Sequence, residues 1–332
     1  MNTTGHKQRL RAALSGQPAD RVPYAMWWHD FGREWTAEGL ADATIETYRK
    51  YDWDLVKLNP RATYYAEAWG SRYESTGITQ PRMLSHALHD IEELAQLPLI
   101  DPSGGVFAEQ LAALRKVVAA IGAEVDVIQT VFNPLTIAST LLGMTPAEFR
   151  EATLGHPAAI HAGLARIAQV IGGYSAACIA AGASGLFFAT VDWGTRNAAD
   201  ANFYREYGRP YDLQVLAAVR HAPLNVLHVC RDHNLLELLL DYPVRIFNWD
   251  EHGAGNASLA EIAARTSAAV MGGIDRGLLK QGTLESVSAE VRKALAQAGA
   301  ARLVLAGGCS IDPTAPPANL AAAVSVVRGT GQ

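Results

Sequence analysis

The sequence is short of the residues that cross-link a chain, charge its surface or span a lipid bilayer. It holds three cysteines in 332 residues, a small odd number that excludes a disulfide scaffold and suits a reducing compartment. Charged residues make up 18%, and 28 basic against 33 acidic side chains leave a net charge of −5. No basic field therefore invites nucleic acid or anionic lipid. The longest apolar stretch, 167–189, is interrupted by Gly172, Gly173, Gly182 and Gly185, whereas a spanning helix needs about 20 predominantly apolar residues. The N-terminal MNTTGHKQRLRAALSGQPADR is polar and basic, without the apolar segment of a secretion signal. These absences predict a soluble, cytoplasmic protein.

What is present is a core. Hydrophobic residues are 49% of the chain, and short apolar runs alternate with amphipathic stretches from end to end. Eight runs read as strands: 22–28, 55–58, 125–131, 185–191, 224–229, 244–248, 268–272 and 302–305. Helical patterns fall at 41–51, 109–121, 146–153, 157–181, 203–221, 234–240, 259–265, 284–298 and 317–328. Pro146, Pro157 and Pro317 each occupy a first helical turn, where proline loses no hydrogen bond. Eight alternating units predict a (β/α)8 TIM barrel, with 1–332 as a single domain. No GxGxxG turn follows the first run, which argues against a doubly wound dinucleotide fold. Residues 60–105 are too long for an ordinary connection and read as an irregular lobe or lid after the second strand.

Barrel chemistry sits at the C-terminal ends of strands, and here those ends carry His29, Asn59, Asn133, Asp192, His228, Asp250, Asp275 and Cys309. His228 and Cys230 are two apart on one strand, so both side chains point the same way. Cys309 closes the last strand. One imidazole and two thiolates form a soft donor set suited to Zn²⁺, and three protein ligands with an open position mark a catalytic site. Asp192 is a candidate further ligand, a partner of a ligand, or a helix N-cap. Cys178, inside an apolar helix, reads as a packing residue. Trp27, Trp28, Trp193 and Trp249 read equally as an aromatic wall for a substrate or as core.

The stretches Phe31-Gly32-Arg33, NPLTIAS (133–139), HVCRD (228–232), NWD (248–250), GGIDRGLL (272–279) with Gly282-Thr283, and AGGCSIDPTAPPANL (306–320) resemble the uroporphyrinogen decarboxylase superfamily over almost the whole chain. That resemblance implies the same barrel. It also implies one of two activities: cofactor-free decarboxylation of a tetrapyrrole, or zinc-dependent methyl transfer. Where the decarboxylases look like RQAGR, this chain has His29-Asp30-Phe31-Gly32-Arg33. Asn59 and Arg61 stand where they carry a catalytic Asp, Thr140 where they carry a Tyr, and Cys309 where they carry a late His. The methyltransferase pattern, His-x-Cys with a later Cys, is present as His228, Cys230 and Cys309.

The resemblance implies Zn²⁺ as cofactor, lowering the pKa of a nucleophile. It further implies a methyl donor that is either methylcobalamin on a separate corrinoid protein or tetrahydrofolate, and an acceptor that is a thiol or a methoxylated small molecule. Substrate contacts are expected from Trp28, His29, Arg33, Asn59, Asn133, Trp193, Trp249 and Asp275. The family also suggests a homodimer. Two other readings compete: a phosphate cradle at Gly272-Gly273 and Gly307-Gly308, and a silent binding protein on the same fold.

Overall fold

Seven of the predicted strands join one parallel sheet. The strands of the protein are β1 (Leu55–Leu58), β2 (Arg72–Glu74), β3 (Arg82–Ser85), β4 (Asp126–Phe132), β5 (Gly185–Ala189), β6 (Val226–Val229), β7 (Ile246–Trp249), β8 (Ala269–Ile274) and β9 (Leu303–Gly307). The sheet runs β1-β4-β5-β6-β7-β8-β9. Every residue of these seven strands is buried, as in a parallel sheet covered on both faces. The computed structural model describes residues 5–297 and 302–329. Residues 1–4 of the predicted domain, and Ala298 at the end of a predicted helix, lie outside them.

The eighth position is filled by residues 22–28, which pair without forming a regular strand. Leu305 N donates to Pro23 O (2.8 Å) and Ala25 N to Leu305 O (2.9 Å) on one side; Asp54 N donates to Tyr24 O (2.9 Å) on the other. These bonds link β9 to the start of β1 and close the ring. Pro23 has no N–H to extend the ladder, which explains why the expected strand is reduced to a bridge. Fully buried Asp54 reinforces the junction, accepting from Arg9, Arg21 and Tyr24 N.

Helices 37–51, 105–121, 157–180, 209–218, 284–297 and 317–329 surround the sheet. Pro157–Ala180 is, among the described residues, the one helix long and apolar enough to cross a membrane. Its Ile160, Leu164, Ile167, Ile171 and Tyr174 are buried in the core, and it packs against residues 91–96 and 209–218. The expected helix 203–221 is broken by a π turn at Tyr204–Gly208, and 234–240 yields only a short 3-10 turn at Leu236–Leu238. Helices His6–Leu14, Pro134–Leu142 and Arg276–Gln281 were not expected.

The lobe at 60–105 is more ordered than its sequence suggests. It contains helix Tyr64–Ala68, an antiparallel hairpin of β2 and β3, and a 3-10 turn at Ile91–Gln96. Bonds from Trp69 Nε1 to Pro98 O (3.1 Å) and from Arg166 Nε to Leu97 O (2.7 Å) hold it together and against helix 157–180.

Candidate metal centre and cavity

β6 brings His228 to the barrel mouth, Cys230 follows the last residue of that strand, and the turn after β9 delivers Cys309. His228 Nε2 lies 3.2 Å from Cys230 Sγ, and Cys230 Sγ lies 3.6 Å from Cys309 Sγ. All three donor atoms fall within 4.8 Å of one another. The sulfurs are too far apart for a disulfide, whose S–S bond is about 2.05 Å. A tetrahedral zinc site with ordinary bond lengths has edges of about 3.8 Å between sulfurs and about 3.5 Å between sulfur and nitrogen, close to the spacings here. The third cysteine, Cys178, is fully buried in helix 157–180, and burial pushes its thiol up to about 12.

The surroundings fix each donor. Asn248, on β7, donates through Nδ2 to the carbonyls of Met271 (2.8 Å) and Gly307 (3.3 Å). Its Oδ1 must therefore be the atom 2.6 Å from His228 Nδ1, so Nδ1 carries the proton and Nε2 turns its lone pair toward the cysteines. Phe187 stacks on the imidazole with centroids 5.0 Å apart. Gly308 is required by contact: a Cβ there would sit 2.3 Å from Asp250 Cα. Arg276 spans the same region, donating to Asp250 Oδ2 (2.9 Å) and Ser310 O (3.3 Å). The backbone turns sharply beside the donors, with φ +43° at Val191, +73° at Arg231 and +48° at His233. Such conformations cost of order 1–3 kcal/mol each and cluster at functional sites.

Electrostatics supports a cation among these atoms. The Cys230 thiol is pushed well above its ordinary range, first by its hydrogen bond with Cys309 and then by burial. The same hydrogen bond, aided by the Arg276 charge, overcomes burial and holds Cys309 well below. Two sulfurs this close resist double ionisation, and a divalent cation relieves that conflict. The donor set therefore fits a zinc ion.

All three donors line a cavity of about 750 Å³ at the barrel mouth. Trp27, Phe31, Phe132 and Phe187 supply apolar wall; His29, Lys57 and Asn59 face the same space, while Ala62 and Gln80 reach it from the lobe. The His29 Nδ1 lies 2.7 Å from Oε2 of buried Glu34. A smaller cavity of about 250 Å³ beneath helix 37–51 shares Trp27, Lys57 and Asn59 with it and is lined by Trp28 and Arg33.

Several expected site residues are placed elsewhere. Asp192 is half-exposed and held by Arg231, with Arg231 Nε donating at 2.8 Å, so it does not join the donor group. Fully buried Asn133 is the N-cap of helix 134–142, accepting from Thr136 N. Asp275 likewise caps helix 276–281. Trp193 is core, its indole bonded to Ser139 Oγ and its ring between Phe149 and Phe203. Trp249 is core too, donating to Ala257 O. Trp28 packs edge-on against Tyr51, and Arg33 is spent on Asp30 and Glu46; both face the smaller cavity. Two residues at the site are not singled out by the sequence: Asn248, within NWD, which bonds His228, and Lys57, inside the apolar run LVKL, which lines the cavity.

Comparison with known proteins identifies the family and agrees with the fold. The family model for uroporphyrinogen decarboxylase (URO-D) matches residues 5–330. A methylcobamide:CoM methyltransferase (MtbA) of Methanosarcina mazei is 25% identical over 332 residues, covering 95% of each chain. The enzyme of the same name from Methanosarcina acetivorans is 24% identical over the same share. Among solved structures, a methyltransferase from Methanosarcina mazei superposes with a TM-score of 0.80 at 22% identity, over 98% of both chains. A B12-independent methionine synthase from Shewanella sp. W3-18-1 gives 0.65 at 14% identity, over 93% of this chain and 98% of its own. Both structures speak to the fold. The chain belongs to the uroporphyrinogen decarboxylase family, on the side of its methyltransferases.

Proposed function

We propose that the protein is a zinc-dependent methyltransferase that exchanges a methyl group between a corrinoid carried on a separate protein and a small molecule in the barrel-mouth cavity. The observation that carries the reading is the convergence of His228 Nε2, Cys230 Sγ and Cys309 Sγ on one point of the cavity wall. The names of the curated relatives favour a corrinoid over tetrahydrofolate. When bound, zinc supplies Lewis acidity that lowers the pKa of an incoming thiol or polarises a methyl ether oxygen. Asn248 holds the imidazole in the tautomer that leaves Nε2 free. Trp27, Phe31, Phe132 and Phe187 keep water from the reacting atoms and strengthen local electrostatics.

Tetrapyrrole decarboxylation finds less support. A polycarboxylate needs several free cations, yet Arg276 is paired with Asp250, Lys280 with Asp312 and Arg231 with Asp192. A phosphate cradle is also less favoured, because Gly308 answers to the contact with Asp250.

Incubation with free methylcobalamin and a panel of thiols tests the proposal. Methylcobalamin should be demethylated with matching thioether formation, stop on chelation, resume on zinc addition and fail in Cys309→Ser. Transfer that persists in Cys309→Ser, or transfer to no thiol from methylcobalamin and from no methyl ether to added cob(I)alamin, overturns it.

A further inference from the structure

One histidine of the cavity wall stands outside the metal centre. His29 follows segment 22–28 and lines the same cavity as His228, Cys230 and Cys309. Its Nδ1 lies 2.7 Å from Oε2 of Glu34, and Glu34 is 1% exposed. A carboxylate only accepts, so Nδ1 carries the hydrogen and Nε2 keeps a free lone pair. Among the described residues no hydrogen-bond partner holds Nε2. Glu34 Oε1 makes no hydrogen bond, so the carboxylate spends its side-chain bonding on His29. Phe31 stacks on the imidazole with centroids 5.2 Å apart, which fixes the ring. The turn itself is anchored: Glu34 N donates to Asp30 O (2.9 Å), and Arg61 donates to Glu34 O (3.3 Å). Of the charges around the pair, Arg61 is spent on Glu67 and Glu109, and Arg33 on Asp30 and Glu46. Lys57 feels the charges of Cys309, Cys230 and Glu34, so one ammonium lies within electrostatic reach of the pair and of both sulfurs.

We propose that His29 is a catalytic proton carrier for methyl transfer to a thiol, with Glu34 as its positioning residue. The inference rests on the proposed methyl transfer, in which a thiol acceptor enters with a proton that its thioether product lacks. The S–H bond breaks, its electron pair stays on sulfur, and the proton forms an N–H bond at His29 Nε2. The sulfur then takes the methyl group of the corrinoid, the Co–C electron pair stays with cobalt, and Nε2 passes its proton to water. Glu34 does for His29 what a buried carboxylate does in a hydrolase triad, holding the tautomer and stabilising an imidazolium as it forms. Histidine suits the task because its charge changes near neutral pH. Other ionisable groups of the wall are committed: Asp250 holds Arg276 and Asp312 holds Lys280, while His228, Cys230 and Cys309 are the metal donors. Asp232 is exposed and accepts from Ala254 N. Lys57, held by burial down to about 7, is the rival base.

Nitrogen NMR of the imidazole rings in zinc-loaded protein, with and without 3-mercapto-1-propanol, reads the proton with no methyl donor present. At about pH 8, above the ordinary histidine value of about 6.5, His29 Nε2 should be bare without thiol and protonated once thiol binds. Glu34→Gln, which keeps an acceptor but not the charge, should lose most of that uptake while zinc content and melting temperature hold. In His29→Gln, transfer from methylcobalamin to the same thiol should fall about 10²–10⁴-fold near neutral pH. The deficit should narrow as pH rises, because a thiol that arrives ionised needs no base. Nε2 bare in both states, or protonated in both, overturns the inference, as does no thiol binding at millimolar concentration. A deficit of equal size at every pH overturns it too, since a purely structural role has that mark. A pH-dependent deficit in Lys57→Met with none in His29→Gln gives the proton to Lys57 and also overturns it. If His29→Gln does not fold, NMR of the unaltered protein and of Glu34→Gln still decides. Proton uptake without methyl transfer retires the proposed activity and leaves His29 its role; methyl transfer without uptake does the reverse.

Discussion

Asn248 offers the sharpest perturbation of the centre that does not touch a metal donor. In Asn248→Ala, His228 loses the 2.6 Å acceptor that fixes its tautomer, and the carbonyls of Met271 and Gly307 lose their donor. Loss of such a supporting hydrogen bond lowers metal affinity by about 10–100-fold, equivalent to about 1.4–2.8 kcal/mol. Stability should fall as well, by about 1–3 kcal/mol for each buried group left unpaired, without simple addition. The contrasting variant is Asn248→Asp. It keeps an acceptor for His228 Nδ1 but can no longer donate to the two carbonyls, so zinc affinity should hold while stability drops. Zinc titration against a chelator of known affinity, beside thermal melts with and without metal, separates the two effects. Asn248→Ala binding zinc as tightly as the unaltered protein would refute the tautomer-fixing role. Equal loss of affinity in both variants would show that Asn248 acts only through folding.

Two further expectations concern the frame. Asp212 is fully buried, accepts from Tyr204 and Tyr242, and is pushed by burial up to about 7. Its raised pKa makes a contribution to stability that is complete below about 4, the ordinary carboxyl range, and lost as pH rises through about 7. Asp212→Asn, which stays uncharged, should flatten the decline in melting temperature between about pH 4 and about pH 7; an unchanged slope counts against a buried neutral acid. Trp193→Ala should cost about 3–5 kcal/mol in denaturant unfolding and leave zinc affinity within error, because the indole is core; selective loss of substrate binding would return it to the site.

The barrel was legible because buried parallel strands write themselves as short continuous apolar runs. β1 coincides with its predicted bounds, and the other six shift at their ends. The first strand misled because 22–28 has the composition of a strand while Pro23 limits its pairing. Helix 134–142 carries its own signals in the chain: Asn133 as N-cap, Pro134 in the first turn and Gly143 in the left-handed C-cap. The same signals give Asn133 to that helix rather than to a substrate, as Asp275 belongs to helix 276–281. A polar residue at a strand tip serves the next helix as readily as the cavity, and sequence position does not separate the two. The convergence of His228, Cys230 and Cys309 was legible because strand parity through β6 and the residue after it, with the turn after β9, fixes where the three meet. The Asn248 contact with His228 was not, since it depends on which neighbours across the barrel satisfy its polar atoms.

The most direct test of the centre is zinc content in protein purified without chelator, read by elemental analysis beside Cys230→Ser and Cys309→Ser. Convergence of the three donors predicts about one zinc per chain in the unaltered protein, the single site a three-donor catalytic centre provides, and marked loss in both variants with the fold retained. Metal-free protein that fails to take up added zinc, or zinc retained in full by both variants, would contradict it.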